Sequence, residues 1–362
     1  MKFPQKTGRL ARLFFAGLLC VSCGGEEKTV EPAGELVTFQ EPHMGTLFTI
    51  RVFVGPNRVQ SGTQQGTIED CTLLSRQAFA RIAALNGIFS DYLVESELSQ
   101  LSLAPANQPV PVSDELLDVL LKGQNVSMAS DGAFDVTIGP MVRLWRRARK
   151  ARRLPTEIQI TGAKARTGFS NLVIDPAAKT VTKKVENMVL DLGGIAKGYA
   201  ADEALRIFQE GGFPSTLVAA SGDIALGDPP PGRDGWSVGL ETLEMAHPGE
   251  TAFELANAAV STSGDTQRFL LIDGKRYSHI VDKETGLGLT ERIAVSVIAP
   301  DATTSDSYAT AVSIMGKEKG MQLIEASPGL ECRIVTVDEA GKVSEYFSSG
   351  FPVKKDSSQQ RE

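Results

Sequence analysis

The segment Asp191-Leu-Gly-Gly-Ile-Ala-Lys-Gly-Tyr-Ala-Ala-Asp202 follows an apolar run, turns on two adjacent glycines and enters a stretch that reads as helix. A chain carrying it must place a strand end, a tight turn and a helix N-terminus within a few residues. It also sets Lys197 in the first helical turn. There a cation opposes the partial positive charge of the free N–H groups at a cost of roughly 0.3 to 1 kcal/mol, whereas a bound phosphate reverses the sign. Lys197 is accordingly read as a ligand contact. The Gly193-Gly194 turn lets backbone approach a ligand closely, but its spacing fits neither the GxGxxG dinucleotide pattern nor the GxxxxGK[ST] phosphate loop. A nicotinamide or ATP site is therefore not supported. Taken alone, the glycine pair is also accounted for by a plain tight turn.

With 362 residues and 42% apolar content, the chain has the composition of a globular protein. Residues 1–22 differ from the rest. Lys2, Lys6, Arg9 and Arg12 precede a short apolar run from Leu13 to Val21, too short to span a bilayer, which reads as an export signal. The run ends in Cys20-Val-Ser-Cys23-Gly-Gly, similar to the bacterial lipoprotein cleavage pattern except for Cys20 where leucine is usual. Cys23 is read as the lipidated residue and residues 23–36, rich in Gly, Glu and Pro, as a tether. Ordinary signal cleavage with Cys23 as a spare thiol is the alternative. The protein is thus expected to be exported and anchored in a membrane, facing the periplasm. Loss of the signal leaves 33 Lys and Arg against 44 Asp and Glu, a net charge of −11, which argues against a nucleic-acid partner. Beyond the signal, Cys71 and Cys332 could pair in an oxidising compartment, and they make no CxxC or zinc spacing.

Periodicity places a strand at Phe48–Val54, a helix at Ile68–Phe89 ended by Ser90-Asp-Tyr92, and a helix at Asp114–Ser130 with Ser113 as N-cap. Leu172–Ile174, Thr180–Val185 and Met188–Leu190 read as short strands. A helix follows over Lys197–Gln209, stopped by Gly211-Gly212, and then a strand at Thr216–Ala219. Arg268–Ile272 and Arg276–Val281 flank Asp273-Gly274, the strongest hairpin signal in the chain, which puts His279 on a strand. The last helix is expected over Ser305–Met315, capped by Thr303 or Thr304 and ended by Gly316, before a hairpin at Ala340-Gly341. Residues 353–362 form a frayed tail, so that 37–352 make one catalytic unit.

Three further features bear on chemistry. Asp306 and Thr310 stand four residues apart on a helix and so share one face, a pair of hard oxygen donors suited to Mg²⁺ alongside substrate phosphates. An aspartate favouring the helix dipole and a threonine bonding back to the helix fit the same spacing. His279 is one of three histidines and could act as a general base, or simply sit satisfied on its strand. The run Arg143–Arg153 carries seven positive charges and reads as a solvated helix face, with steering of an acidic partner or contact with anionic lipid as the alternative.

Taken in order, His43-Met-Gly-Thr46, Phe89-Ser-Asp-Tyr92 with Ser96-Glu-Leu, Gly132-Ala-Phe-Asp135, Asp191-Leu-Gly-Gly-Ile-Ala-Lys-Gly198, Ser221-Gly-Asp223, Ser261-Thr-Ser-Gly-Asp265, Tyr277-Ser-His-Ile-Val-Asp282 with Thr285-Gly286, and Asp306 to Thr310 resemble the FAD:protein FMN transferases of the ApbE family. The resemblance runs from about Phe39 to Phe351. It implies an α+β fold with mixed or antiparallel sheets flanked by helices, in one body or two lobes. FAD, as substrate, would be held by Met44, Tyr92, Ala133, Phe134, Asp135, Asp191, Lys197 and Ile280, and Mg²⁺ by Asp306, Thr310 and the carbonyl of Gly194. Gly194 aligns with a residue that is often alanine in relatives, and Asp282-Lys283 stands where many have Asp-Pro.

The implied reaction moves FMN from FAD to a threonine hydroxyl of a target protein and releases AMP, with His279 as the candidate proton acceptor. The implied acceptors are exported domains of membrane electron-transport complexes. Mg²⁺-dependent hydrolysis of FAD to FMN and AMP, or a lipoprotein that only stores flavin, are the competing readings.

Overall fold

The computed structural model describes residues 34–55, 66–240, 252–264, 269–338 and 340–352. The export segment with Cys23, as well as Arg268 and the tail 353–362, lie outside the described residues. From residue 34 onward the chain forms one unit rather than two lobes.

Alternation builds the sheet. β1 (Glu35–His43) and β2 (Thr46–Val54) form a hairpin, and along β2 Phe48, Ile50, Val52 and Val54 are buried while Arg51 is exposed. That period of two belongs to a strand with one covered face. The helix α1 (Ile68–Phe89) follows, opened by a capping box between Thr67 and Asp70, then the short helix α2 (Glu97–Leu103). β3 (Val110–Pro111), β4 (Leu172–Asp175) and β5 (Thr180–Lys183) make a small separate sheet. Between them lie α3 (Asp114–Ala129), α4 (Gly139–Ala151) and α5 (Glu157–Lys164).

After α6 (Ala196–Glu210) come β6 (Thr216–Ala220), β7 (Asp223–Leu226), β8 (Trp236–Gly239), β9 (Ala252–Leu255) and β10 (Ala258–Gly264). The chain then runs through the hairpin β11 (Phe269–Ile272) and β12 (Lys275–Ser278), β13 (Arg292–Ala299), α7 (Ala302–Glu325), β14 (Glu331–Val337) and β15 (Val343–Phe347). The large sheet has the order β1-β2-β6-β7-β10-β13-β14-β15, and every pairing in it is antiparallel. Apolar residues of α1, α3, α6 and α7 share one core with this sheet. A second, smaller core joins α4, α5 and the β11–β12 hairpin through Met141, Leu144, Trp145, Ala163 and Tyr277.

The structure corrects four local expectations. Met188–Leu190 is not a strand: the Leu190 N–H donates to Ser102 Oγ at 3.0 Å and the Asp191 N–H to the Val136 carbonyl at 2.8 Å rather than to a neighbouring strand. β12 stops at Ser278, which leaves His279 one residue past the strand. The N-cap of α7 is Asp301, whose carboxylate accepts from the Thr304 N–H at 2.8 Å, and neither Thr303 nor Thr304 fills that position. Gly316 breaks α7 with a φ of 75°, yet the helix resumes after it and runs to Glu325. Cys71 and Cys332 are separate, buried free thiols.

Candidate active site

The N-terminal ends of α6 and α7 meet at Gly198. A Cβ there would overlap the Ala302 carbonyl oxygen and lie 2.9 Å from the Thr303 N–H nitrogen, so only glycine permits the approach. Asp202, one turn further along α6, accepts from the Ala302 N–H at 2.7 Å, the Thr303 N–H at 2.8 Å and the Thr303 hydroxyl at 2.6 Å. Its carboxylate thereby caps α7 in trans. Burial raises the Asp202 pKa to about 6 even against these hydrogen bonds.

This junction carries the charged cluster. Lys197 Nζ forms ion pairs with Asp223 and, at 3.4 Å, with Asp306 Oδ2, which also accepts from the Gly198 N–H at 3.2 Å. The Ser221-Gly222 turn between β6 and β7, with Ser221 at a φ of 61°, delivers Asp223 at the start of its strand. Both carboxylates are buried. Burial, followed by the Asp223 charge, pushes the Asp306 carboxyl up. Burial alone lowers the Lys197 pKa, but the two carboxylates outweigh it and carry the ammonium above its ordinary value. The unfavourable position of Lys197 in the helix is thus offset by two aspartates from other elements.

Asp306 and Thr310 occupy successive turns of α7, and Gly194 stands against the latter: a Cβ on Gly194 would be 2.9 Å from Thr310 Oγ1 and 3.3 Å from the Phe134 ring. A carboxylate, a hydroxyl and a peptide carbonyl therefore come from neighbouring residues. All are hard oxygen donors, the chemistry that Mg²⁺ prefers. Among the described residues no three His, Cys, Asp or Glu side chains gather, so a divalent ion in this cluster would have places left for the hydroxyl, the carbonyl, water or substrate oxygens.

On the other side of the turn, Asp191 is buried. Its Oδ1 accepts from the Gly193 N–H at 2.8 Å and its Oδ2 from Arg146 at 3.2 Å. Arg146 also pairs with Asp91 and lies 4.3 Å from the centroid of the Tyr92 ring. The basic run is thus not only a solvated face, because one of its arginines turns inward to bridge two carboxylates.

The other expected residues hold the surrounding loops. Both oxygens of Asp135 are engaged, one by the Thr137 N–H and hydroxyl at 2.8 and 2.7 Å, the other by the Phe169 N–H at 3.0 Å. Ala133 and Phe134 donate to the Ser130 carbonyl and hydroxyl at 3.0 and 3.1 Å. Met44 occupies the β1–β2 turn at a φ of 48° and packs against the main core. His279 and Ile280 are half-buried, and the Ile280 N–H donates to Ser278 Oγ at 3.1 Å. The Trp145 indole N–H donates to the Ser278 carbonyl at 3.0 Å, and Lys283 donates to the Asp131 carbonyl at 2.8 Å. These two bonds tie the histidine loop to α4 and to the 132–135 loop. Asp223 and Arg146 were not among the expected site residues. The Ser-Gly-Asp turn signalled the former, while nothing distinguished Arg146 from its cationic neighbours.

Residues 44–334 match the family model described as ApbE family. The chain belongs to the ApbE family. It is 32% identical over 327 residues to the FAD:protein FMN transferase of Vibrio cholerae, covering 89% of this chain and 93% of that protein. To the FAD:protein FMN transferase of Salmonella typhimurium it is 28% identical over 317 residues, covering 85% and 87%. The structure of flavin transferase ApbE from Vibrio cholerae superposes with a TM-score of 0.77 at 29% identity, over 88% of this chain and 98% of that one. The α+β architecture of helices on antiparallel sheets is therefore an ApbE architecture.

Proposed function

We propose that this chain transfers FMN from FAD to a threonine hydroxyl of an exported acceptor domain and releases AMP. The observation that carries the reading is the convergence of Lys197, Asp306 and Asp223 where the N-termini of α6 and α7 meet, beside the Gly194–Thr310 contact. FAD brings a pyrophosphate: the two helix N-termini attract such an anion, and because two carboxylates face the one ammonium, a divalent cation bound with them would turn the cluster's net charge in the anion's favour.

Asp306, Thr310 and the Gly194 carbonyl would hold Mg²⁺. An ion held by these groups would supply charge neutralisation to the pyrophosphate, as metals do in other phosphoryl transfers. Lys197 supplies fixed positive charge beside them. Met44, Tyr92, Ala133, Phe134, Asp135, Asp191 and Ile280 would line the remainder of the FAD site. In the transfer, the threonine oxygen bonds to the phosphorus nearer riboflavin and the bond from that phosphorus to the AMP phosphate oxygen breaks. The hydroxyl proton passes to an imidazole nitrogen of His279, and AMP leaves with the electron pair. The acidic balance of the mature chain speaks against nucleic acid as a partner, and lipidation at Cys23 would hold the enzyme on a membrane facing the periplasm. Acceptors on membrane electron-transport complexes would then lie within its reach.

The test is intact-mass analysis of a threonine-containing flavin-acceptor domain after incubation with the protein, FAD and Mg²⁺. Transfer adds one FMN to the acceptor. AMP release that is independent of acceptor, with no mass gain, establishes FAD hydrolysis instead, and no AMP at all leaves a flavin-storage protein.

A further inference from the structure

Tyr92 is 73% exposed although its ring lies on a guanidinium, so one face is covered by Arg146 and much of the remaining ring surface is open. An aromatic ring in that state is a platform, fixed from below and free above. Its support is itself fixed: Arg146 pairs with Asp91, the residue before Tyr92, and with Asp191, and both carboxylates are largely sheltered from solvent. Asp191 in turn accepts from Gly193 in the turn that leads to Gly194 and Lys197. The neighbouring Trp145 anchors the same helix segment through the Ser278 carbonyl, one residue before His279. One short stretch of α4 thus reaches the aromatic ring, the glycine turn and the histidine loop.

From this we infer that Arg146 is a positioning residue for the flavin dinucleotide: it holds the Tyr92 ring as a stacking surface for one of the two ring systems of FAD and keeps that surface in register with the Asp191–Lys197 turn. The inference rests on the flavin-transfer reading. A planar guanidinium suits the task because it forks between two carboxylates while its face lies on the ring, which a lysine ammonium cannot do. Arg146 does not need to touch the phosphorus under attack, so its removal weakens FAD binding and raises KM for FAD while kcat at saturating FAD changes little.

The test is a double-mutant cycle read by FAD titration, following flavin fluorescence and absorbance, on the wild type, Arg146→Lys, Tyr92→Ala and the double variant. Arg146→Lys retains a cation between Asp91 and Asp191, and Arg146→Gln, planar but neutral, runs alongside in case either variant does not fold. The expected result is that Arg146→Lys raises the Kd for FAD about fivefold when Tyr92 is present and less than about twofold when it is alanine. Equal effects in both backgrounds, or none in either, overturn the positioning role while leaving the flavin reading intact. A folded wild type that binds no FAD overturns the flavin reading itself, and the positioning role with it.

Discussion

Gly198 in α6 stands so close to Ala302 in α7 that any side chain at the glycine would overlap the alanine's carbonyl oxygen. The two helix starts are held at this distance by the three hydrogen bonds to Asp202, and the Lys197–Asp306 pair exists because of it. Gly198→Ala must therefore push the helices apart. The expected loss of stability is about 1 to 3 kcal/mol, seen as a lower Tm, with flavin transfer falling far more than stability does. A variant with unchanged melting and unchanged turnover would show that the junction does not set the site.

Asp306 joins Lys197 to the Thr310 face of α7. Asp306→Ala is expected to lower kcat about a thousandfold and to abolish Mg²⁺ binding measured by calorimetry, because a hard donor is lost and the compensation of charge around Lys197 is halved. Chelation of the wild type should likewise stop AMP release, and excess Mg²⁺ should restore it. Calorimetry that returns wild-type Mg²⁺ affinity for the alanine variant would move the ion to other ligands.

Lys183 at the end of β5 is wholly buried and donates to the carbonyls of Ser102 and, at 3.4 Å, Met188, just ahead of the Asp191 turn. Burial lowers its pKa. The unfolded chain binds this proton more tightly than the folded one, so stability increases as pH rises from the depressed folded value towards 10.5 and is lost as pH falls through that folded value. Lys183→Met strands two carbonyls and is expected to cost about 1 to 3 kcal/mol at neutral pH. Denaturant titrations at several pH values should show the margin of the wild type over this variant widening towards pH 10. A margin that is constant with pH would mean that the lysine titrates alike in both states.

Cys23 is the proposed anchor. Cys23→Ala should shift the mature protein from the membrane to the soluble fraction, because the proposed acyl chains would have no attachment point. Unchanged fractionation on sedimentation would rule out lipid anchoring at this position.

Much of the local structure was legible. α1, α3 and α6 begin and end within about a residue of their sequence signals, because the apolar period agrees there with a Thr67 or Ser113 cap at the start of α1 and α3 and with the Gly211-Gly212 stop at the end of α6. The β11–β12 hairpin followed from Asp273-Gly274. The large sheet was not legible, since β2 pairs with β6 across more than half of the described chain and nothing local encodes that choice. Met188–Leu190 misled because Met188 and Leu190 are buried, as a strand's residues would be, while the Leu190 and Asp191 amides go to Ser102 and Val136. Asp301, Thr303 and Thr304 all suit an N-cap, and only the trans contact from Asp202 explains why Thr303 is engaged elsewhere. Arg146 was hidden for a similar reason: seven cations in a row look alike until two aspartates from distant segments select one of them.

The partners of Lys197 lie 26 and 109 residues from it along the chain. No short fragment can hold that triad, so its charges come together only after the distant strands have closed over the helices. A polypeptide threaded across a membrane as an extended string would be chemically silent towards flavin on the side where it is synthesised. Competence would begin at the destination, with topology itself acting as the safeguard against premature reaction.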